Sequence, residues 1–179
     1  MPILIDVLSE APVNEILDGR VYRKMSPNSR HARVQYLLAG VFERCGREIG
    51  MAGTEWDFRV GVVEDSNTFL VPDVAFVRYD RLTTLAAEDR EQPPIAPDVV
   101  AEVRSKGEKA GFRKRKIARY RACGTVLVLD ADPATRRLDA HTKDCVRAYA
   151  HGERFEHPAV PWLVFDVAET FRGLEYLSK

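Results

Sequence analysis

Asp73 and Glu102 each lie inside a run of apolar, strand-forming residues, Leu70-Val71-Pro72-Asp73-Val74-Ala75-Phe76-Val77 and Asp98-Val99-Val100-Ala101-Glu102-Val103. An ionised carboxylate in a half-buried strand is costly unless its charge is compensated. A fold that keeps both acids must therefore bring cations, hydrogen-bond donors or a metal ion to these two points. A divalent cation is one of the few compensations that serves two carboxylates at once.

The second acid is followed at once by a basic segment. Between Arg104 and Arg121 nine Lys and Arg stand against one acid, Glu108, which leaves the segment at +8 and the rest of this neutral chain at −8. Phosphate attraction needs such a local positive field. A solvated helix face with loop charges explains the same run equally simply.

With 179 residues, 45% of them hydrophobic and 9% aromatic, the chain reads as one folded domain spanning 1–179 with its core at about 14–170, and disorder is not expected. No apolar run is long enough for a membrane span, and the start Met1-Pro2-Ile3-Leu4-Ile5-Asp6 lacks the charge and apolar stretch of a secretory signal. A cytoplasmic location without membrane contact is the expectation. Cys45, Cys123 and Cys145 are odd in number and widely spaced, which favours reduced thiols over a zinc site or disulfide framework.

Asp18-Gly19 marks a turn beside a small strand, and Ser26-Pro27-Asn28-Ser29 offers cap chemistry for a helix from about Ser29 to about Ile49, stopped by Gly50. Val34, Leu37, Leu38, Val41, Phe42, Cys45 and Ile49 form its apolar face. Trp56, Phe58 and Val60 alternate with polar residues, and Asp65-Ser66-Asn67 turns them into a hairpin with Thr68–Val71. Pro72 removes a ladder donor, so the Asp73 strand begins there or carries a bulge. Residues 81–97, with three prolines, read as loop or short helix. A strand at Glu102, a helix from about Glu108 to Ala122 closed by Gly124, and a buried strand Thr125–Asp130 follow. Arg137–Lys143 and Val146–Ala150 form a further hairpin, and a short helix covers about Val167 to Leu177. The order of elements is that of a single α/β domain.

Side chains alternate along the strand Val99–Arg104, so Glu102 shares its face with Val100 and Arg104, and Arg104 puts a cation about 6.6 Å away along that face. An ion pair at the strand end is the simpler reading of this arrangement. In the helix that follows, Phe112, Cys123, Tyr120 and Ile117 centre an apolar arc at about 60°, and Lys116 at about 40° and Arg113 at about 100° fall inside it. An inward lysine must snorkel or find an acid, and the nearest acids belong to the preceding strand. His31 lies on the inward stripe of the first helix, where it is either a hydrogen-bonded histidine at the core rim or an additional site residue. Glu55, Asp57 and Asp130 are accounted for by a polar strand face or a strand-end turn.

The order Pro72-Asp73, 28 intervening residues, then Glu102-Val103-Arg104 and a helix with inward Lys116 resembles the PD-(D/E)XK nuclease superfamily. More narrowly it is similar to the Uma-two family of putative restriction endonucleases. Asp18–Tyr22, Met25-Ser26-Pro27 leading to His31, Pro72–Val77, Ala96–Val103, Lys116 with Tyr120, Ala122-Cys123-Gly124 and Val128–Pro133 fall where that family has its blocks. The resemblance implies a restriction-endonuclease-like α/β core: a mixed four- to five-stranded sheet flanked by helices, with an extra β-hairpin toward the C-terminus.

It also implies Mg²⁺, with Mn²⁺ able to substitute, held by Asp73, Glu102 and the carbonyl of Val103. Lys116 would assist the attacking water and Arg104 would stabilise charge, since a guanidinium is a poor base. DNA is the implied substrate, with Lys106, Lys109, Arg113 and Lys114 on its backbone, and superfamily members often act as homodimers. The chain departs from the family after Glu102-Val103, where Arg104-Ser105-Lys106-Gly107-Glu108 replaces an apolar residue and Ser-Pro-Ser-Asp. The competing expectation is a silent binding or assembly module whose acids pair with Arg104 and Lys116. A metal hydrolase for a small phosphorylated substrate would be expected of a closed cleft.

Overall fold

The computed structural model describes residues 13–24, 26–63 and 66–177. The N-terminal lead, Met25 and Asp65 of the proposed turn lie outside them. Asp18 and Gly19 both take positive φ (53° and 69°) and join β1 (Asn14–Leu17) to β2 (Arg20–Arg23), the two-residue connection that matches strand twist. The Asn28 side chain caps α1 (Ser29–Gly46) by accepting from the His31 amide at 3.0 Å.

Helix α1 ends three residues earlier than its apolar face suggests, and Gly50 is the first residue of a strand, β3 (Gly50–Thr54), rather than only a stop. The reason is close approach. A Cβ on Gly50 would lie 2.4 Å from the Val77 carbonyl oxygen, and one on Gly46 2.4 Å from the Phe76 ring, so helix and strand can reach the sheet only through glycine. The helix face is therefore cut off by packing that local periodicity does not encode.

β4 (Phe58–Val63) and β5 (Ser66–Leu70) pair with the first hairpin in a four-stranded sheet ordered β2-β1-β5-β4. β6 (Val74–Arg78) leads through a one-turn α2 (Tyr79–Leu82) to β7 (Val99–Val103), α3 (Ala110–Ala122) and β8 (Leu127–Asp132). β9 (Arg137–His141) and β10 (Val146–Tyr149) complete a six-stranded mixed sheet ordered β10-β9-β8-β7-β6-β3. Its four central and edge strands are the expected core, and the C-terminal hairpin extends that same sheet. Among the described strands only β7 and β8 run parallel, linked by the α3 crossover. A short pair, β11 (Arg154–Phe155) with β12 (Phe165–Asp166), precedes α4 (Val167–Thr170) and a final 3₁₀ turn.

β7 is buried along its whole length because both faces of the sheet are covered. Val74, Phe76, Val99, Ala101, Leu127 and Leu129 pack against Val34, Leu38, Val41 and Phe42 of α1. Ala75, Val77, Val100 and Val128 face Ile117 and Tyr120 of α3 and Leu17, Phe58 and Leu70 of the smaller sheet. Period-two alternation thus sends Glu102 and its register partner Asp130 toward α3 and the smaller sheet. The three cysteines are free thiols, and among the described residues no helix is long and apolar enough to cross a membrane.

Candidate active site

The chain between the two sheets sets the position of Asp73. β5 ends at Leu70, Val71-Pro72 turns the backbone, and Asp73 precedes the first ladder residue of β6. Asp73 is 3% exposed and fully engaged: Oδ1 pairs with Lys24 Nζ at 2.9 Å, while Oδ2 faces His31 Nε2 at 3.1 Å and accepts the Val103 amide at 2.7 Å. Val103 therefore meets Asp73 through its N–H. Burial alone would raise the Asp73 pKa, but the His31 hydrogen bond and the Lys24 charge outweigh it and hold the carboxyl well below the usual range.

Glu102 sits deeper. Lys116 Nζ approaches its two oxygens at 2.8 and 2.9 Å, and the Tyr120 hydroxyl donates to Oε1 at 3.1 Å. The helix wheel placed Lys116 inward, and the structure shows what it meets there. It also reaches Glu15 of β1 at 2.7 Å. Glu15 in turn accepts the Val71 amide at 2.9 Å, and the Val71 carbonyl takes hydrogen bonds from Lys24 at 2.8 Å and Lys116 at 3.5 Å. One residue of the connecting turn thus ties the two halves of the site together.

The charges do not balance. Lys24 also pairs with Glu55 at 2.7 Å, and Glu55 is fixed by Gln35, whose amide donates to it at 2.7 Å and to the Asp73 carbonyl at 3.0 Å. Glu55 occupies the left-handed region at φ 52°, strain that a non-glycine residue carries only where its surroundings hold it. Four carboxylates (Glu15, Glu55, Asp73, Glu102) thus face two ammonium groups (Lys24, Lys116), a formal −2 before His31 is counted.

Titration directions reflect burial together with that deficit. Burial pushes the Glu102 pKa up to about 7, with repulsion from Asp73 and Glu15 adding to it and Lys116 opposing. For Lys116 burial acts downward, yet Glu102, Glu15 and Asp73 outweigh it and hold the ammonium above its ordinary value. Lys116 is a charged donor here and not a base. Burial and the neighbouring carboxylates keep the Tyr120 phenol protonated far above its ordinary range, so it acts as a fixed donor to Glu102.

Arg104 is elsewhere than the sequence spacing implied. Its guanidinium contacts Asp130 at 2.8 Å, Asp139 at 2.8 Å and Asp132 at 3.2 Å, and Arg113 reaches Asp130 at 3.0 Å and also pairs with Glu108. Glu102, Asp130 and Asp139 stand in register on adjacent strands, so the sheet presents a row of acids, and Arg104 serves the next two members of that row. It is a clamp beside the site. Arg104→Gln should lower stability by about 1–3 kcal/mol in a urea melt, the usual cost of stranding buried polar partners.

Arg113, expected on a nucleic-acid backbone, is likewise an internal partner with only 12% of its side chain exposed. Lys106, Lys109 and Lys114 are exposed and have no acidic partner among the described residues. His31 joins the site as an Asp73 partner, and its Nδ1 is buried without a hydrogen-bond partner among the described residues. Sequence reasoning missed Glu15, Lys24 and Gln35, and assigned Glu55 to ordinary strand polarity. Glu15 shares its strand face with buried Leu17 in β1, a period-two signal that marks it as inward. Nothing local marks Lys24.

Comparison with known proteins follows the same line. The crystal structure of a putative nuclease belonging to DUF820 from Anabaena variabilis superposes with a TM-score of 0.76 at 20% identity, covering 95% of this chain and 98% of that one. That likeness establishes the shared fold. No curated protein matches the chain. The model of the Uma2 family, described as putative restriction endonuclease, matches residues 6–168, and the chain belongs to that family.

Proposed function

We propose that this protein is a divalent-metal-dependent endonuclease that hydrolyses phosphodiester bonds of DNA, using Mg²⁺ or, in its place, Mn²⁺. The observation that carries this reading is the uncompensated charge: three buried carboxylates and the more exposed Glu55 face two lysines, and burial, with repulsion from Asp73 and Glu15, raises Glu102 to about 7. Asp73 and Glu102 supply hard oxygen donors and the Val103 carbonyl completes the protein's share. Among the described residues no three His, Cys, Asp or Glu side chains form a ready-made cage. That suits Mg²⁺, which takes one or two carboxylates and fills its remaining positions with water and phosphate. When bound, such an ion activates water and neutralises charge developing on a phosphoryl oxygen.

The chain's own groups have distinct parts. Lys116, held protonated, donates toward the attacking water or a phosphoryl oxygen and stabilises negative charge without removing a proton. Tyr120 orients Glu102, while His31 and the Val103 amide orient Asp73. Lys24 and Lys116 already occupy the carboxylates, so metal entry requires both to yield part of their contacts.

That occupancy favours one competing reading, a silent module in which the lysines are permanent partners. Plasmid nicking separates the two. Wild-type protein should nick supercoiled DNA with Mg²⁺ or Mn²⁺ and not with EDTA, and Lys116→Ala should lower the rate by about 100-fold or more. Absence of both nicking and calorimetric Mn²⁺ binding by folded wild type would leave the silent module.

A further inference from the structure

A cleft between β2 and the first turn of α3 lies beside the site. Arg20, Tyr22, Lys109, Gly111, Phe112 and Arg115 line a volume of about 580 Å³, within the usual range for ligand-sized sites. No acid lines it. Arg20 and Lys109 are exposed and have no ion-pair partner among the described residues. The Arg115 guanidinium donates to the Tyr22 hydroxyl at 2.9 Å and stands 3.8 Å from Asp18, with half of its side chain exposed. Between these cations Tyr22 and Phe112 form a tilted pair with centroids 4.3 Å apart, each only partly buried.

The cleft is joined to the catalytic groups through short stretches of backbone. Tyr22 stands opposite Glu15 across the hairpin, and Phe112 precedes Lys116 by one turn of α3. Its floor is therefore on the order of 6 Å along the helix axis from Lys116, at the usual rise per residue. A duplex backbone needs only the cations. A partly buried aromatic pair set among three cations fits an unpaired nucleotide, because a base can stack on a side chain only when it has left the helix stack.

We propose that this cleft binds an unpaired nucleotide adjoining the scissile phosphate, its phosphate among Arg20, Lys109 and Arg115 and its base against Tyr22 and Phe112. The protein accordingly prefers single-stranded or frayed DNA to intact duplex. This rests on the nuclease reading for the identity of the ligand but not for its test.

Fluorescence anisotropy with full-length protein in EDTA measures binding without cleavage, using one labelled oligonucleotide single-stranded, as a duplex, and single-stranded with central abasic residues. Wild type should bind the strand at least about 10-fold more tightly than either the duplex or the abasic strand. Phe112→Ala should remove most of that margin and leave duplex and abasic affinities unchanged, and Arg20→Ala should weaken all three. Phe112→Leu, which keeps apolar bulk, should behave as Phe112→Ala does and guards against a folding defect. Equal wild-type affinity for strand and duplex overturns the proposal, as does an equal loss on base-bearing and abasic strands. Cleavage that shows no strand preference overturns this inference alone, and strand-selective binding without cleavage overturns only the catalytic reading.

Discussion

Glu102→Gln should abolish metal-dependent DNA cleavage, by about 10³-fold or more, while making the metal-free protein more stable than wild type above pH 7. The two effects have one cause. In the folded chain Glu102 titrates at about 7 against an ordinary value of 4.5, so the folded state binds this proton more tightly than the unfolded chain does. Its contribution to stability is complete below about pH 4.5 and is lost as pH rises through about 7. At 1.36 kcal/mol per unit the loss is roughly 3 kcal/mol.

Glutamine is an uncharged isostere of the protonated acid. At pH 5 the variant should melt close to wild type, and the difference should grow in its favour to pH 8 in EDTA. Added Mn²⁺ should raise the wild-type melting temperature and leave the variant unmoved, because a ligand stabilises only the form that binds it. Asp73 acts in the opposite sense and at lower pH. Its depressed pKa contributes stability above about 3.8 that is lost on further acidification, so it does not mask the window between 4.5 and 7. A wild-type melting curve that is flat from pH 5 to 8 while the variant's falls would contradict the charge deficit.

Lys116→Met should cost about 3–5 kcal/mol at pH 8, the penalty for breaking a buried pair and leaving its partner charged. Here two partners are stranded, since Lys116 is shared by Glu102 and Glu15. Removing the ammonium raises the Glu102 pKa further, so the deficit should shrink as pH falls and the carboxyls take up protons. Urea melts at pH 5 and pH 8 measure this directly. A loss independent of pH would mean that methionine disturbs packing around Ile117 and Tyr120 and not the charge balance. Lys116→Arg keeps a cation in the site, so its deficit should vary less with pH than that of Lys116→Met.

The sequence carried much of this because burial writes itself into periodicity. Asp73, Glu102 and Lys116 stood out as charges inside apolar patterns, and the strand and helix phases pointed Glu102 and Lys116 toward a common layer. Arg104 misled for a related reason. Strand alternation says which face a side chain shares and not which neighbouring strand competes for it, and Asp130 and Asp139 lie one and two strands over. Gly50 illustrates a second limit, since a glycine that stops a helix looks the same as one that admits a strand against a neighbouring carbonyl. Lys24 belongs to the site through its pairs with Asp73 and Glu55 and its bond to the Val71 carbonyl, and Glu55 through the left-handed backbone at residue 55, none of which has a local signature.

The Asp18-Gly19 hairpin has a bearing on how the molecule is made. It supplies Glu15 and Tyr22 and leads into Lys24, and besides its pairing with β5 it contacts α3, in which Arg119 bonds Asp18 from 101 residues away and Arg115 bonds Tyr22 from 93. Loop closure over such separations carries its entropic cost before any contact repays it, so these are among the last interactions a folding chain can form. During synthesis the contacts of this hairpin with α3 wait until that helix has left the ribosome, whereas its pairing with β5 does not. The acidic centre, which needs Lys116 of α3, therefore closes only after about two thirds of the chain has been made.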